Sequence, residues 1–188
     1  PVAYFPKFFH PDPTVERQSG LLRPAIGDHE ILGDSLYLPY FFVISDDKDI
    51  TLKPRFFNDN KFVLQTEYRQ ETKNSVTIID SSITTGHYSD IIKKSDKDTR
   101  SHLFTDTTID LGFEDFIISS LDINYEKISN DTYLKLFDFI KSPLWTEARG
   151  TLTSQIELDL AHEDYDFGSS LIMYENLGGN NSDRYSYE

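Results

Sequence analysis

Leu152-Thr153-Ser154-Gln155-Ile156-Glu157-Leu158-Asp159-Leu160 alternates without a break: Leu152, Ser154, Ile156, Leu158 and Leu160 fall on one side, Thr153, Gln155, Glu157 and Asp159 on the other. Successive side chains of an extended chain point to opposite faces, so this period of two describes a strand with one apolar and one charged face. Two more stretches repeat it. Leu121, Ile123 and Tyr125 oppose Asp122, Asn124 and Glu126, and Phe62, Leu64, Thr66 and Tyr68 oppose Val63, Gln65, Glu67 and Arg69.

Short polar breaks separate these runs: Ser45-Asp46-Asp47-Lys48, Asn58-Asp59-Asn60, Glu71-Thr72-Lys73-Asn74 and His162-Glu163-Asp164. Breaks of this length and composition are hairpin signals. The pattern predicts an all-β antiparallel meander, with strands near 31–45, 48–57, 61–71, 75–84, 100–112, 115–128, 147–161 and 164–176. The polar stretch His87–Asp98 reads as a longer loop. Asn130–Ser142 departs from the β pattern, because Tyr133, Leu134, Phe137 and Ile140 fall at helical spacing behind Asn130 and Asp131 as candidate caps.

The 188 residues suit one domain or a domain and a half. A formal net charge of −14 argues against a nucleic-acid partner, since phosphate backbones are held by clustered Lys and Arg. With no cysteine, thiol catalysis, thiolate metal sites and internal disulfides are excluded. No apolar run is long enough for a transmembrane helix. Barrel strands are about 9–11 residues long and alternate, so hydropathy averages hide them. A hydrophobic fraction of 38% with 14% aromatic residues fits such averaging and fits a soluble β-sandwich equally well. Alternation leaves both readings open: the polar face meets bulk water in one and a wet lumen in the other.

Candidate chemistry is thin. His10, His29, His87, His102 and His162 lie far apart without metal-ligand spacing, and they read as loop or strand-end surface residues; His102, within Arg100-Ser101-His102-Leu103-Phe104, reads as structural. Carboxylate pairs such as Asp46/Asp47, Glu157/Asp159 and Glu163/Asp164 arise readily among 32 acidic residues and read as solvated. Gly178-Gly179-Asn180-Asn181-Ser182 lacks the helix a phosphate loop needs, and no serine sits in a nucleophile-elbow context. Nothing supports an enzyme, a cofactor or a metal centre.

Several segments in succession carry a resemblance: Arg17-Gln18-Ser19-Gly20-Leu21-Leu22-Arg23-Pro24, then Leu38-Pro39-Tyr40-Phe41, then Asp49-Ile50-Thr51-Leu52-Lys53-Pro54-Arg55. Glu67-Tyr68-Arg69, Arg100–Phe104, Ser129–Tyr133, Glu163-Asp164-Tyr165, Tyr174–Leu177 and Ser182–Tyr185 follow in order. In this order the chain resembles the LptD family along nearly its whole length. The resemblance implies part of a large transmembrane β-barrel of the outer membrane, preceded by the end of a periplasmic β-jellyroll. Residues 1–27 would be the last jellyroll strand and connector, and 28–188 the N-terminal strands of an incomplete barrel. The chain opens at Pro1 without a methionine and stops inside a patterned segment, which is expected of such a piece. The implied partners are lipopolysaccharide, an LptE-like plug lipoprotein, an LptA-like periplasmic bridge protein and outer-membrane lipid.

Within that resemblance Arg17, Ser19, Gly20, Tyr40, Pro54, Arg55, Glu67 and Arg69 are structural motif positions. Pro24 and Pro39 match prolines at and near the first barrel strand. Proline deletes a ladder hydrogen bond, so both would weaken the seam through which lipopolysaccharide leaves sideways. Glu67, Arg69, Asp122, Glu126, Glu157 and Asp159 would face the lumen, where plain solvation of a wet wall explains them. The alternatives are a soluble or surface β-sandwich used for binding, and a complete eight-stranded outer-membrane barrel.

Overall fold

The computed structural model describes residues 17–58, 61–87, 98–145, 150–179 and 183–188. The expected last jellyroll strand, most of the His87–Asp98 loop and His10 lie outside them.

Among the described residues twelve strands form one antiparallel sheet. They are β1 (Gly20–Leu21), β2 (Ala25–Gly27), β3 (Ser35–Tyr37), β4 (Tyr40–Ser45), β5 (Lys48–Phe57), β6 (Phe62–Glu71), β7 (Ser75–His87), β8 (Asp98–Asp110), β9 (Ile118–Ile128), β10 (Thr151–Ala161), β11 (Asp166–Asn176) and β12 (Tyr185–Tyr187). From β4 to β12 each strand pairs with its neighbours in sequence; β1 lies on β4, while β2 pairs β3, which pairs β5. Among the described residues the sheet does not close on itself. All the strands belong to it, so among the described residues no second sheet packs on its apolar face, as a sandwich requires.

The stretch expected as a single strand over 31–45 is divided. A turn closes near Gly33, whose amide donates to the His29 carbonyl at 2.7 Å and whose φ of 76° suits glycine. Beyond it β3 and β4 both run along β5, interrupted at Leu38-Pro39 because proline cannot donate to a ladder. The 130–142 helix shrinks to α1 (Tyr133–Leu136), with Thr132 at its N-terminus making no side-chain cap bond. Asn130 acts earlier, its Oδ1 accepting from the Thr132 amide at 3.0 Å.

Register assigns the faces. Glu157 pairs with Asp122, Gln155 with Asn124, Leu158 with Leu121 and Ile156 with Ile123. On the first hairpins Arg69 pairs with Asp49, Glu67 with Thr51 and Gln65 with Lys53. One face is therefore largely charged and polar from β5 to β10, with Phe57, Val63, Phe104 and Ile128 as its apolar positions toward the end covered by the 129–145 segment. The other carries Phe42, Phe56, Ile83, Leu103, Tyr125, Ile156, Phe167 and Leu171, all exposed.

The polar face is covered in one place. The segment 129–145 leaves β9 and lies across it, burying Tyr133, Leu134, Phe137, Ile140 and Trp145 with Leu32, Phe57, Val63, Phe104, Ile128 and Leu152. The helical spacing seen in the sequence marks this packing surface. Rings interlock, with Tyr133 and Phe137 centroids 4.7 Å apart and His102 and Trp145 at 5.9 Å. Phe137→Ala should cost about 3–5 kcal/mol, the usual penalty for emptying an aromatic site. Limited proteolysis should then cut within 129–145 first; unchanged protection there would show that the segment does not depend on this core.

Candidate functional site

The inner face of the first strands gathers most of the motif residues picked out in the sequence. Asp49, 2% exposed, lies between two guanidiniums: Arg69 Nε donates to it at 3.0 Å, and Arg17 contacts its other oxygen. Arg17 also reaches the Asp46 carbonyl at 3.3 Å. Arg69 stands 3.7 Å from Glu67, which accepts from Lys53 at 2.6 Å. The Arg69–Asp49 pair across the ladder, the diagonal Lys53–Glu67 pair and the Arg17 and Glu67 contacts join into one chain of alternating charges on the polar face. A groove of about 500 Å³ runs along it between Arg17, Phe41, Leu22 and Lys53.

Arg55 stands apart. Its guanidinium carbon lies 4.9 Å from the Tyr37 ring centre and 4.5 Å from that of Phe139, and its hydrogen-bond partner is the Ser35 hydroxyl at 3.4 Å. Pro54, next to it, pairs with Leu64 on the outward side, and its carbonyl accepts from the Leu38 amide at 3.1 Å.

The remaining motif residues organise the edge. Ser19 Oγ accepts from the Val43 amide at 2.9 Å, Gly20 pairs with Phe41 and Leu21 with Tyr40. The Leu22 amide donates to the Pro39 carbonyl at 2.8 Å. An antiparallel hydrogen-bonded pair normally exchanges two bonds, and Pro39 has no N–H to return the second. Continuing this register would set Ala25 opposite Leu36; Ala25 instead faces Tyr37, so the ladder slips by one residue around Arg23-Pro24. The structure thus brings Pro24 and Pro39 to the same interruption of the first hairpin.

Beneath the 129–145 segment sits a buried polar network. Gln65 Nε2 lies 3.1 and 3.0 Å from the two oxygens of Asp80 and 3.1 Å from the Lys141 carbonyl. His102 Nε2 is 3.3 Å from Asp80, and its Nδ1 is 2.9 Å from Ser82 Oγ and 3.1 Å from the Tyr133 hydroxyl, which also meets Ser82. Burial pushes the Tyr133 hydroxyl well above the ordinary phenol range, so it stays protonated. The set contains a serine, a histidine and an aspartate, but Ser82 is capped by Tyr133 and sealed under the segment. In this arrangement it anchors the segment and gives a substrate no approach.

His102 is 3% exposed, so the surface reading fails for it while the structural reading agrees. His29 is held in its turn: its Nδ1 accepts from the amides of Ile31 at 3.2 Å and Leu32 at 3.3 Å. His162 stacks on Tyr165 at 4.6 Å. No group of three metal-ligating side chains converges among the described residues. Asp80, Ser82, Gln65 and Lys53 are not among the motif positions. Parity sets Gln65 beside Glu67 and Arg69, and Lys53 beside Asp49 and Arg55, whereas on β7 Asp80 and Ser82 share their side with Val76 and Ile78, so the sequence carries no such signal there.

An open antiparallel meander, apolar and exposed on one face and largely charged on the other, has the architecture of part of a β-barrel or jellyroll. No family model matches the chain. Among curated proteins it is similar to the LPS-assembly protein LptD of Pseudomonas aeruginosa (strain UCBPP-PA14), 28% identical over 165 residues, covering 81% of this chain and 16% of the relative. LptD of Ralstonia nicotianae (strain ATCC BAA-1114 / GMI1000) is 30% identical over 122 residues, covering 63% and 13%. LptD of Cupriavidus pinatubonensis (strain JMP 134 / LMG 1197) is 41% identical over 69 residues, covering 37% and 8%. The chain spans at most 16% of the length of these relatives.

Gln65→Leu removes the amide that faces Asp80 and the Lys141 carbonyl. It should cost about 1–3 kcal/mol, the penalty for orphaning buried polar groups, read as a lower melting temperature together with faster cleavage in 129–145. An unchanged melting temperature would show that the network does not anchor the segment.

Proposed function

We propose that this chain forms part of the wall of an outer-membrane barrel that assembles lipopolysaccharide into the outer leaflet, and that release occurs sideways at its first strands. The observation that carries this reading is the sidedness of the sheet: a face of exposed Phe, Ile, Leu and Tyr with none of the described residues packed upon it suits lipid, and the charged face suits a wet lumen. The similarity to LptD over most of the chain supports the same assignment.

Loop lengths orient the sheet. The turns at 46–47, 72–74, 111–117 and 162–165 lie at one end of the sheet, and the strand ends joined through the mostly longer stretches 28–34, 58–61, 88–97, 129–150 and 177–184 lie at the other. Barrels of this class keep short turns on the periplasmic side and longer loops outside. Arg17 and Ser19 enter at the short-turn end, so the N-terminal residues belong in the periplasm, as a jellyroll end and connector over 1–27 would require. Residues 28–188 then make the first barrel strands, with Gly20–Gly27 stitched to them. An LptA-like bridge protein would deliver the ligand at this end, and an LptE-like lipoprotein would fill the lumen.

The prolines give the exit its physical basis. With Pro39 unable to return a bond to Leu22, and the register slipping at Pro24, the first hairpin is the weakly tied part of the wall. An edge strand held by fewer ladder bonds parts from its neighbours at lower cost than one held along its length.

Two measurements test the reading in the full-length protein that carries this segment. Ile156→Arg places a charge on the lipid face and should destabilise the protein folded into bilayers by about 2–4 kcal/mol, while Glu157→Arg on the opposite face should be tolerated. Equal effects of the two would overturn the sidedness. Pro39→Val supplies the missing donor and should slow the appearance of new lipopolysaccharide at the cell surface. Unchanged transport would remove the proline gate while leaving the barrel assignment standing.

A further inference from the structure

On the inner wall, at the long-loop end of the first hairpin, a cleft of about 190 Å³ opens between Tyr37, Lys53, Arg55 and Gln65 on the sheet and Phe139 and Lys141 on the 129–145 segment. We propose that this cleft is an anion seat, and that it holds a phosphate monoester of the amphiphile passing the wall; the inference rests on the transport reading above.

Three observations converge on it. First, Arg55 and Lys141 are not matched by carboxylates. Among the described residues neither has an ion-pair partner, whereas Lys53, Arg69 and Arg17 are all paired with Asp49 or Glu67. Second, Arg55 is held in position. The rings of Tyr37 and Phe139 flank its guanidinium, and of its five N–H groups one is spent on Ser35, which leaves a planar fork free for a tetrahedral oxyanion. Planar Arg recognises phosphate with less loss of freedom when it is already stacked. Third, the surrounding field favours this spot. Across β8 to β10 the same face carries Asp106, Asp122, Glu126, Glu157 and Asp159, and the chain as a whole is at −14. An anion drawn along such a wall is repelled over most of it and meets unmatched positive charge beside the first strands.

The cleft is also open where it needs to be. Ala25, on the edge strand, forms its outer lip, and Lys141 hangs from the segment anchored by Gln65. An anion seated there would bridge the edge hairpin and the covering segment at the level of the interrupted ladder.

The experiment uses the full-length protein in lipid nanodiscs with a photo-cross-linking amino acid at position 25 or, in a separate variant, at position 41 in the groove beside Arg17. The probes are lipopolysaccharide bearing its lipid phosphates, the same lipopolysaccharide enzymatically dephosphorylated, and inorganic phosphate as competitor. Cross-linking from position 25 should fall about tenfold on dephosphorylation and by a similar factor in Arg55→Gln/Lys141→Gln, the loss expected for a charge-assisted contact. Arg55→Lys should restore part of it, and Lys73→Gln, a cation in a turn at the other end of the sheet, should leave it unchanged. Cross-linking from position 41 should persist throughout.

Equal capture of both lipopolysaccharides at position 25 would overturn the seat and leave the transport reading intact. Failure to capture lipopolysaccharide at either position would overturn both. Lys141 protected from amine labelling by inorganic phosphate, with no phosphate-dependent capture of lipid, would show a seat for free anion and overturn its assignment to the amphiphile.

Discussion

The ladders from β5 to β11 hold register through their middle stretches, and everything else in the molecule depends on that. In a sheet a slip of one residue exchanges the two faces, moving every charge to the apolar side. Here Arg69 faces Asp49, Glu67 faces Thr51 and Gln65 faces Lys53 on one hairpin, while Glu157 faces Asp122 several strands away on the same side. The slips occur near strand ends, between Val43 and Ser45 and between Thr84 and His87, and at the first hairpin. A sheet with two unlike faces requires register in its middle and tolerates irregularity only at its margins.

The 129–145 segment uses that polar face in a different way. Covering a charged wall with an apolar segment would strand polar groups, so the contact is divided. Phe137, Ile140 and Trp145 pack on Phe57, Val63, Phe104 and Leu152, and the polar side chains that fall beneath them are joined to one another through Asp80, His102, Ser82 and Tyr133. Burial of a polar cluster is tolerable when its members satisfy each other. The result is a fixed surface from which Phe139 and Lys141 reach the Arg55 side of the first strands.

Those first strands are the least regular part of the sheet and the most heavily supplied with unusual residues. Pro24 and Pro39 interrupt the same hairpin, Arg17 crosses to Asp49 from outside the ladder, and Ser19 extends the edge through its side chain where backbone pairing has ended. Side-chain contacts thus hold an edge that its backbone holds poorly, and such contacts are more easily exchanged than a ladder.

The alternation of Leu152–Leu160, Leu121–Glu126 and Phe62–Arg69 was enough by itself to determine an antiparallel meander with one apolar and one charged face, because the period of a strand is written in its residues; Leu152 alone of the first run's leucines ends in the core beneath the 129–145 segment. The spacing of Tyr133, Leu134, Phe137 and Ile140 likewise marked a buried surface, although the helix that carries it is a single short turn. Sequence order and motif resemblance placed Arg17, Arg55, Glu67, Arg69, Pro24 and Pro39 near the start of the sheet. What only the tertiary structure decided was which of these meet. Asp49 lies between Arg17 and Arg69, Pro39 and Pro24 share one interruption, and His102 lies inside beside Asp80. Each of those contacts joins residues from different strands, and pairing across strands depends on register and on the path of the covering segment, neither of which a local period contains.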